Sequence, residues 1–213
     1  MKQMRYQFSG ASTMKTDETG RMVDFGEFPE LETKRLVLRR MTLADAEFYL
    51  RHFSDPDIVE LTAFDAPENI AKARQELFEF CIKPFEENKG IRWGIVLKGE
   101  TELAGTIGYH HWVKAGGYHA RAGYDLAAAY RRRGVMTDAL MAVLRYGFET
   151  MRLNKVEACT DPRNVASIRL LEKLGFHQDG VLRENTYYHG RFIDEVIFSL
   201  LASEWRNVAH AAA

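Results

Sequence analysis

The stretch Tyr124-Asp125-Leu126-Ala127-Ala128-Ala129-Tyr130-Arg131-Arg132-Arg133-Gly134-Val135-Met136-Thr137-Asp138-Ala139-Leu140 narrows the fold more than any other part of the chain. It reads as a strand end, a basic turn with one glycine, and the start of a long helix. Met136, Leu140, Val143, Leu144, Gly147, Phe148 and Met151 recur at three- and four-residue steps, which puts them on one buried helical face. Asp138, Arg145, Glu149 and Arg152 fall on the opposite face. The first amides of such a helix have no partner inside it and lie at the positive end of its dipole. A turn with little bulk at Gly134 therefore lets a phosphate come close. Neither the Walker A spacing nor the three-glycine dinucleotide fingerprint is present. A phosphate seat and a solvated basic cap fit these residues equally well.

A second segment, Asp161-Pro162-Arg163-Asn164-Val165-Ala166-Ser167-Ile168-Arg169-Leu170-Leu171-Glu172-Lys173-Leu174-Gly175-Phe176, reads as a strand exit, a proline turn, a short helix and a glycine stop. Asn164, Ser167 and Leu171 share one helical face. Taken alone, Asn164 and Ser167 are most simply capping residues.

Together the two segments resemble the GNAT superfamily of acyl-CoA-dependent N-acetyltransferases. That signature is Arg or Gln, two residues, Gly, one residue, then Gly or Ala at a helix start. Arg131 and Gly134 match it, and Met136 departs from the small third residue. Asn164-x-x-Ser167, the run Arg169 to Phe176, Leu36-Val37-Leu38-Arg39 and Asp55-Pro56-Asp57-Ile58 resemble the RimJ/RimL branch, over about residues 31 to 205.

The resemblance implies an α+β fold of the GNAT kind: a central, mostly antiparallel twisted sheet of about seven strands, with helices on both faces and strands splayed where CoA inserts. It implies acetyl-CoA as co-substrate, with no metal. Its diphosphate would rest on the amides from Arg132 through Gly134, Val135, Met136 and Thr137, and Arg131, Arg132 and Arg133 would supply charge. Leu126 and Ala127 would pair by backbone with the pantetheine arm, and Asn164 would bond that arm from the other side. Many relatives carry a proton-donating Tyr seven residues after this Asn, where Leu171 stands here. Ser167, one turn earlier, takes its place as the candidate acid.

The implied reaction is direct attack of a neutral primary amine on the thioester in a ternary complex, the amine being a protein N-terminus or a small molecule. It needs a base and an oxyanion donor. Glu157, mid-strand before the Asn164 helix, is the candidate base, and an ordinary surface or salt-bridged Glu is its plainer role. Asp125, His110 and His111 are alternatives. Adjacent strand residues point to opposite faces, so one of the two histidines is expected at the substrate. With Tyr missing at 171, the rival class is a binding module that senses acyl-CoA or scaffolds a partner without turnover.

At 213 residues and 46% hydrophobic, the chain can bury one substantial core. One domain is expected over residues 31–206, between a flexible extension at 1–30 and a tail at 207–213. A formal net charge of -1 argues against a general nucleic-acid binder. Cys81 and Cys159 show no metal spacing and suit a reducing, cytoplasmic setting. No signal peptide or membrane span is read. The expected partners are acetyl-CoA and the amine, with no nucleic acid and no membrane, and a homodimer is left open.

Strands are expected at about Ile91 to Leu97, Leu103 to Trp112, His119 to Ala127 and 155–160, with a final pair near 176–188 and 192–201. Helices are expected at Asp45 to Phe53 and at Pro67 to about Asn88. The segments Ile58 to Ala66, His110 to Gly117 and Tyr187 to Arg191 should border the acceptor. Their acidic residues give one rim a mildly negative cast without naming an amine.

Overall fold

A computed structural model describes residues 15–18, 20 and 22–205. Its strands are β1 (Lys15–Thr16), β2 (Met22–Asp24), β3 (Leu31–Glu32), β4 (Leu36–Arg40), β5 (Ile91–Leu97), β6 (Leu103–Val113), β7 (His119–Leu126), β8 (Lys155–Thr160), β9 (His177–Tyr188) and β10 (Arg191–Leu201). Its helices are α1 (Ala46–Phe53), α2 (Pro56–Thr62), α3 (Ile70–Leu77), α4 (Lys83–Glu86), α5 (Val135–Arg145) and α6 (Val165–Lys173). A small β1-β2 pair accompanies an eight-stranded sheet in the order β3-β4-β5-β6-β7-β8-β10-β9.

Within the large sheet every neighbouring pair is antiparallel except β7 and β8. That parallel ladder holds only His119↔Lys155, Ala120↔Val156 and Arg121↔Glu157, although β7 runs on to Leu126 and β8 to Thr160. Beyond Arg121 the two strands part, leaving unpaired backbone edges inside the sheet. This opening is the splay expected from the resemblance.

Each face of the sheet has its own core. On one, Leu140, Val143 and Leu144 of α5 pack with Leu38, Trp93, Ile107 and Tyr109. On the other, Phe48, Tyr49 and Phe53 of α1 pack with Ala73 and Leu77 of α3 and with Val96 and Leu103. Each fully buried Leu, Ile, Val or Phe among them stabilises the fold by about 1.5–3 kcal/mol relative to exposure. The apolar face read along Met136 to Met151 is real, but the α-helix proper ends at Arg145 and widens into a π-turn at Tyr146–Thr150. There Tyr109 Oη donates to the Val143 carbonyl at 2.9 Å.

Three sequence expectations change. The helix expected from Pro67 to Asn88 begins at Ile70, where the Asn69 side chain accepts from the Lys72 amide. It then passes through a π-turn at Phe78–Ile82 before α4. The segment Ile58 to Ala66, expected to border the acceptor, is helical as far as Thr62, as part of α2, which is started by the Asp55 side chain accepting from Asp57 N and by Pro56 at its first position. Part of the extension expected at 1–30 packs into the body of the fold: Met22 and Phe25 are buried, and Phe25 stacks near Phe85 and Trp112. The Pro29 carbonyl accepts from Trp93 Nε1 at 2.6 Å. Residues 1–14 and the tail at 207–213 lie outside the described residues.

Candidate active site

The turn before α5 is shaped by backbone. Gly134 stands at the helix N-cap with φ +75°, a left-handed conformation that a side chain resists. No side chain caps the helix, and the first helical bond is Asp138 N to the Gly134 carbonyl at 3.1 Å. The amides at Val135, Met136 and Thr137 are left without intrahelical partners, facing a groove of about 930 Å³. Met136 tolerates the departure from a small residue because its side chain is buried in the core while its backbone borders the groove.

The three arginines of the turn have different roles. Arg131 is a brace: it donates through Nη1 to Asp57 at 2.7 Å and through Nε to the Leu126 carbonyl at 3.2 Å, with Asp55 at 3.8 Å. Arg133 turns onto the Tyr130 ring and is not among the groove's walls, whereas Arg132 borders it. Charge that sequence reasoning missed comes from two other places. Arg169 and Lys173, one turn apart on α6, line the groove. Arg35 donates to the Arg133 carbonyl at 3.1 Å and pairs with Asp138 at 2.8 Å beside Gly134. The i and i+4 spacing of Arg169 and Lys173 was the available signal.

The edge of β7 alternates. Ala127 N donates to the Ala104 carbonyl at 2.9 Å, and its own carbonyl accepts from Tyr130 N at 3.0 Å. Ala127 is therefore turned toward β6 and already bonded, which removes it from the pantetheine edge. By the same alternation the backbone groups of Tyr124 and Leu126 face the opening toward β8. On the far side, Asn164 caps α6 through its Oδ1, which accepts from Ser167 N at 3.1 Å. The capping role is thus real, and the amide nitrogen of Asn164 stays available where the residue borders the groove. Leu171 is 1% exposed, a core residue.

Ser167 is buried, and its Oγ lies 2.8 Å from the Tyr124 hydroxyl. Burial pushes the Tyr124 phenol up to about 12, opposed in part by the bond with Ser167, so it stays protonated at neutral pH. The sequence contains Tyr124 in plain view. What it lacks is the long-range pairing that brings residues 124 and 167 together, so no local pattern could have found the pair.

A second cavity, about 490 Å³, lies on the α1 face of the sheet. It shares Leu61, Thr62, Tyr124, Asp125, Asn164 and Ser167 with the groove, so the two spaces adjoin at the Tyr124–Ser167 pair. Phe53, Phe64 and Phe80 give it apolar walls, the last from the π-turn. The β9–β10 hairpin closes its rim: Tyr188 Oη donates to the Phe64 carbonyl at 3.2 Å and His189 meets Asp65 at 2.7 Å. Tyr187 points away, 64% exposed against Phe192.

Both His110 and His111 line this cavity, against the expectation that one would. The reason is a break in the β6–β7 register between His110 and Val113, where His111 takes φ +49° and swings its ring to the same side. Burial, with the positive charges of Arg92, His111 and Arg121, pulls the His110 imidazole down to about 3 and keeps it neutral.

The candidate base Glu157 does not reach the cavity walls. It pairs with Arg121 in the last rung before the strands part, and Lys155 Nζ holds it at 2.6 Å with Arg121 at 3.8 Å. The opening begins only after this rung, so Cys159, Thr160 and Asp161 border the cavity instead. Asp125 is also committed. Its Oδ1 lies 2.7 Å from His52 Nε2 and accepts from Thr106 N, while its Oδ2 accepts from Arg92 Nη2 and Thr106 Oγ1. Burial alone would raise its carboxyl, but Arg92, His52 and Thr106 outweigh burial and hold it at about 2. With its lone pairs engaged it is a structural anion beneath the site. Among the described residues no cluster of metal-ligating groups occurs, and no helix is long and apolar enough to cross a membrane.

A splayed parallel rung, an uncapped helix start after a left-handed glycine, and a second cavity behind the opening agree with one family. A GNAT acetyltransferase domain model matches residues 35–177, and the chain belongs to that family of N-acetyltransferases. The uncharacterized N-acetyltransferase YoaA of Bacillus subtilis (strain 168) is 36% identical over 176 residues, covering 82% of this chain and 97% of that protein. The [ribosomal protein uS5]-alanine N-acetyltransferase of Escherichia coli (strain K12) is 27% identical, covering 82% and 92%. The fold is also that of spermidine N-acetyltransferase from Vibrio cholerae in complex with CoA and spermine, with TM-score 0.71, 20% identity and coverage of 82% and 100%.

Proposed function

We propose that this N-acetyltransferase takes acetyl-CoA in the groove and a primary amine in the adjoining cavity, and joins them at the Tyr124–Ser167 pair. The observation that carries this reading is the meeting of the two spaces at those two hydroxyls. The diphosphate would rest on the amides of residues 134–137, near Arg132, Arg169 and Lys173. The pantetheine arm would add to the edge of β7 at the Tyr124 backbone and the Leu126 amide, the Leu126 carbonyl being held by Arg131 Nε, with the Asn164 amide on its other side.

In this reading the amine nitrogen attacks the thioester carbon, the C–S bond breaks, and sulfur leaves as a thiolate. Ser167 donates a proton to sulfur and recovers one from Tyr124. The phenol is in turn restored by the proton that the new amide nitrogen sheds, so the net transfer is one proton from nitrogen to sulfur. A phenol held near 12 is a weak acid, suited to donating only as charge builds on the sulfur. Two free cysteines, Cys81 buried and Cys159 half-buried, are in keeping with a cytoplasmic setting.

The test is free-thiol release from acetyl-CoA with a panel of primary amines, including peptide N-termini, polyamines and amino acids. Amine-dependent release is expected. The double variant Tyr124→Phe/Ser167→Ala should lose about 100-fold in kcat while CoA affinity changes less than about twofold. Full turnover by the double variant would remove the pair from the reaction.

A further inference from the structure

The amine cavity is unevenly charged, and the reaction above leaves that charge unused. One arginine, Arg92, lines it against four carboxylates, those of Asp125, Asp161, Asp194 and Glu195. Arg92 is taken up by Asp125, and Asp161 accepts from Arg163 Nη2 at 2.7 Å. Asp194 and Glu195 have no cation within ion-pair distance among the described residues. Neutral donors hold them instead: Asp194 Oδ1 accepts from Glu184 N at 2.8 Å, and Glu195 accepts from Thr186 Oγ1 at 2.6 Å and Asn185 Nδ2 at 3.0 Å. Arg121 pairs with Glu157 and does not line the cavity. Two negative charges in one wall are therefore fixed in place and left without counter-ions.

Consecutive strand residues face opposite sides, yet Ile193, Asp194 and Glu195 all border the cavity. The β9–β10 register breaks between Ile193 and Glu195, where Glu184 takes φ +52°, and this bulge brings Asp194 to the side of its neighbours. Glu195 is half-buried in the wall and Asp194 stands exposed at the mouth. Aromatic rings cover the same end. Tyr188, two residues past Thr186, donates to the Phe64 carbonyl and so draws the loop after α2 over this wall. Phe64 and Phe80 meet edge to face with centroids 5.2 Å apart, and Phe80 is 53% exposed although it lines the cavity. Carboxylates without counter-ions and open aromatic faces each attract a cation, and here they come from separate parts of the chain, the hairpin on one side and the loop and π-turn on the other.

We infer that the hairpin end of the cavity is a second cation subsite, and that the acceptor is a primary diamine. One nitrogen, neutral, reacts at the Tyr124–Ser167 pair. The other stays protonated and rests between the Glu195 and Asp194 carboxylates and the Phe64 and Phe80 rings. The alkyl chain between them lies along the apolar part of the wall at Phe53.

This inference rests on the cavity being the amine site, so its test reads binding apart from turnover. The CoA-bound full chain is titrated by calorimetry with putrescine against butylamine and with cadaverine against pentylamine, at low and high salt. The diamines should bind at least tenfold tighter at low salt, and added salt should shrink the gap. The double variant Asp194→Asn/Glu195→Gln, which keeps the acceptor oxygens that fasten the bulge, should erase it. Phe80→Leu, apolar but without a π face, should narrow it a few-fold. Equal affinity for diamine and monoamine, no binding by any of them, a gap indifferent to salt, or a preference that survives the double variant would overturn the subsite. Thiol release that is as fast with the monoamines would also overturn it, while leaving acetyl transfer at this site intact.

Discussion

The groove before α5 and the cavity behind β7 share a wall but are assembled in different ways. The basic end of the groove is made of consecutive residues, a left-handed glycine and the uncapped amides of residues 135–137, with one face of α6 beside them. The cavity draws its side chains from α1, the end of α2 and the loop after it, a π-turn, the start of α6 and six strands. The groove offers backbone dipoles to a ligand part that can be the same in every relative. The cavity offers side chains, which can change without disturbing the fold. In the proposed reading, donor binding therefore depends on conformation and acceptor binding on side-chain identity, and substitutions should separate the two.

The largest effect is expected under the wall that both spaces share. Asp125→Asn leaves Arg92 facing a neutral amide in a buried network, and loss of a buried ionic partner costs about 3–5 kcal/mol. Urea denaturation at neutral pH should show that loss. The native chain should also weaken in acid with a defined sign. The folded Asp125 carboxyl is held at about 2, below its ordinary value, so its contribution is complete above about pH 4. It fades as pH falls toward 2, and Asp125→Asn should lack that part of the acid dependence. A variant that unfolds with the native profile would mean the wall is not held by this network.

A smaller and more selective effect is expected at the groove. Gly134→Asp forces a side chain into φ +75° and sets a carboxylate at the phosphate seat. Its Kd for CoA should rise at least tenfold by calorimetry, with any amine affinity little altered. Unchanged CoA affinity would erase the distinction drawn between the two spaces.

The smallest effect is expected at the cavity rim. His189→Ala removes the exposed contact with Asp65 that helps fasten the hairpin to the loop after α2. KM for the amine should rise a few-fold with kcat and CoA affinity nearly constant, the scale of a single exposed polar contact. A loss confined to CoA binding would place the hairpin's influence in the wrong space.

This division also explains what the sequence reveals and what it hides. The α5 face, Gly134, the glycine stop after α6 and most strand ranges follow from local periodicity and turn chemistry, and local rules hold where the backbone itself makes the site. Ala127 and Glu157 were misjudged for a different reason. Whether a strand residue faces an opening depends on where pairing ends, and the last β7–β8 rung at Arg121↔Glu157 is set by long-range packing. His111 escaped because strict alternation fails at a bulge. Tyr124, Arg92 and Arg35 escaped because their partners lie 43, 33 and 103 residues away. Leu171 stands in the core at the position of the expected Tyr, and only the folded chain brings Tyr124 from another strand to stand beside Ser167.

The most direct test of the account is a crystal structure of the chain with CoA bound. The sulfur should lie within hydrogen-bond distance of Ser167 Oγ, with the diphosphate on the amides of residues 134–137 and the arm between β7 and β8. A diphosphate seated elsewhere, or a sulfur that never approaches the Tyr124–Ser167 pair, would contradict it.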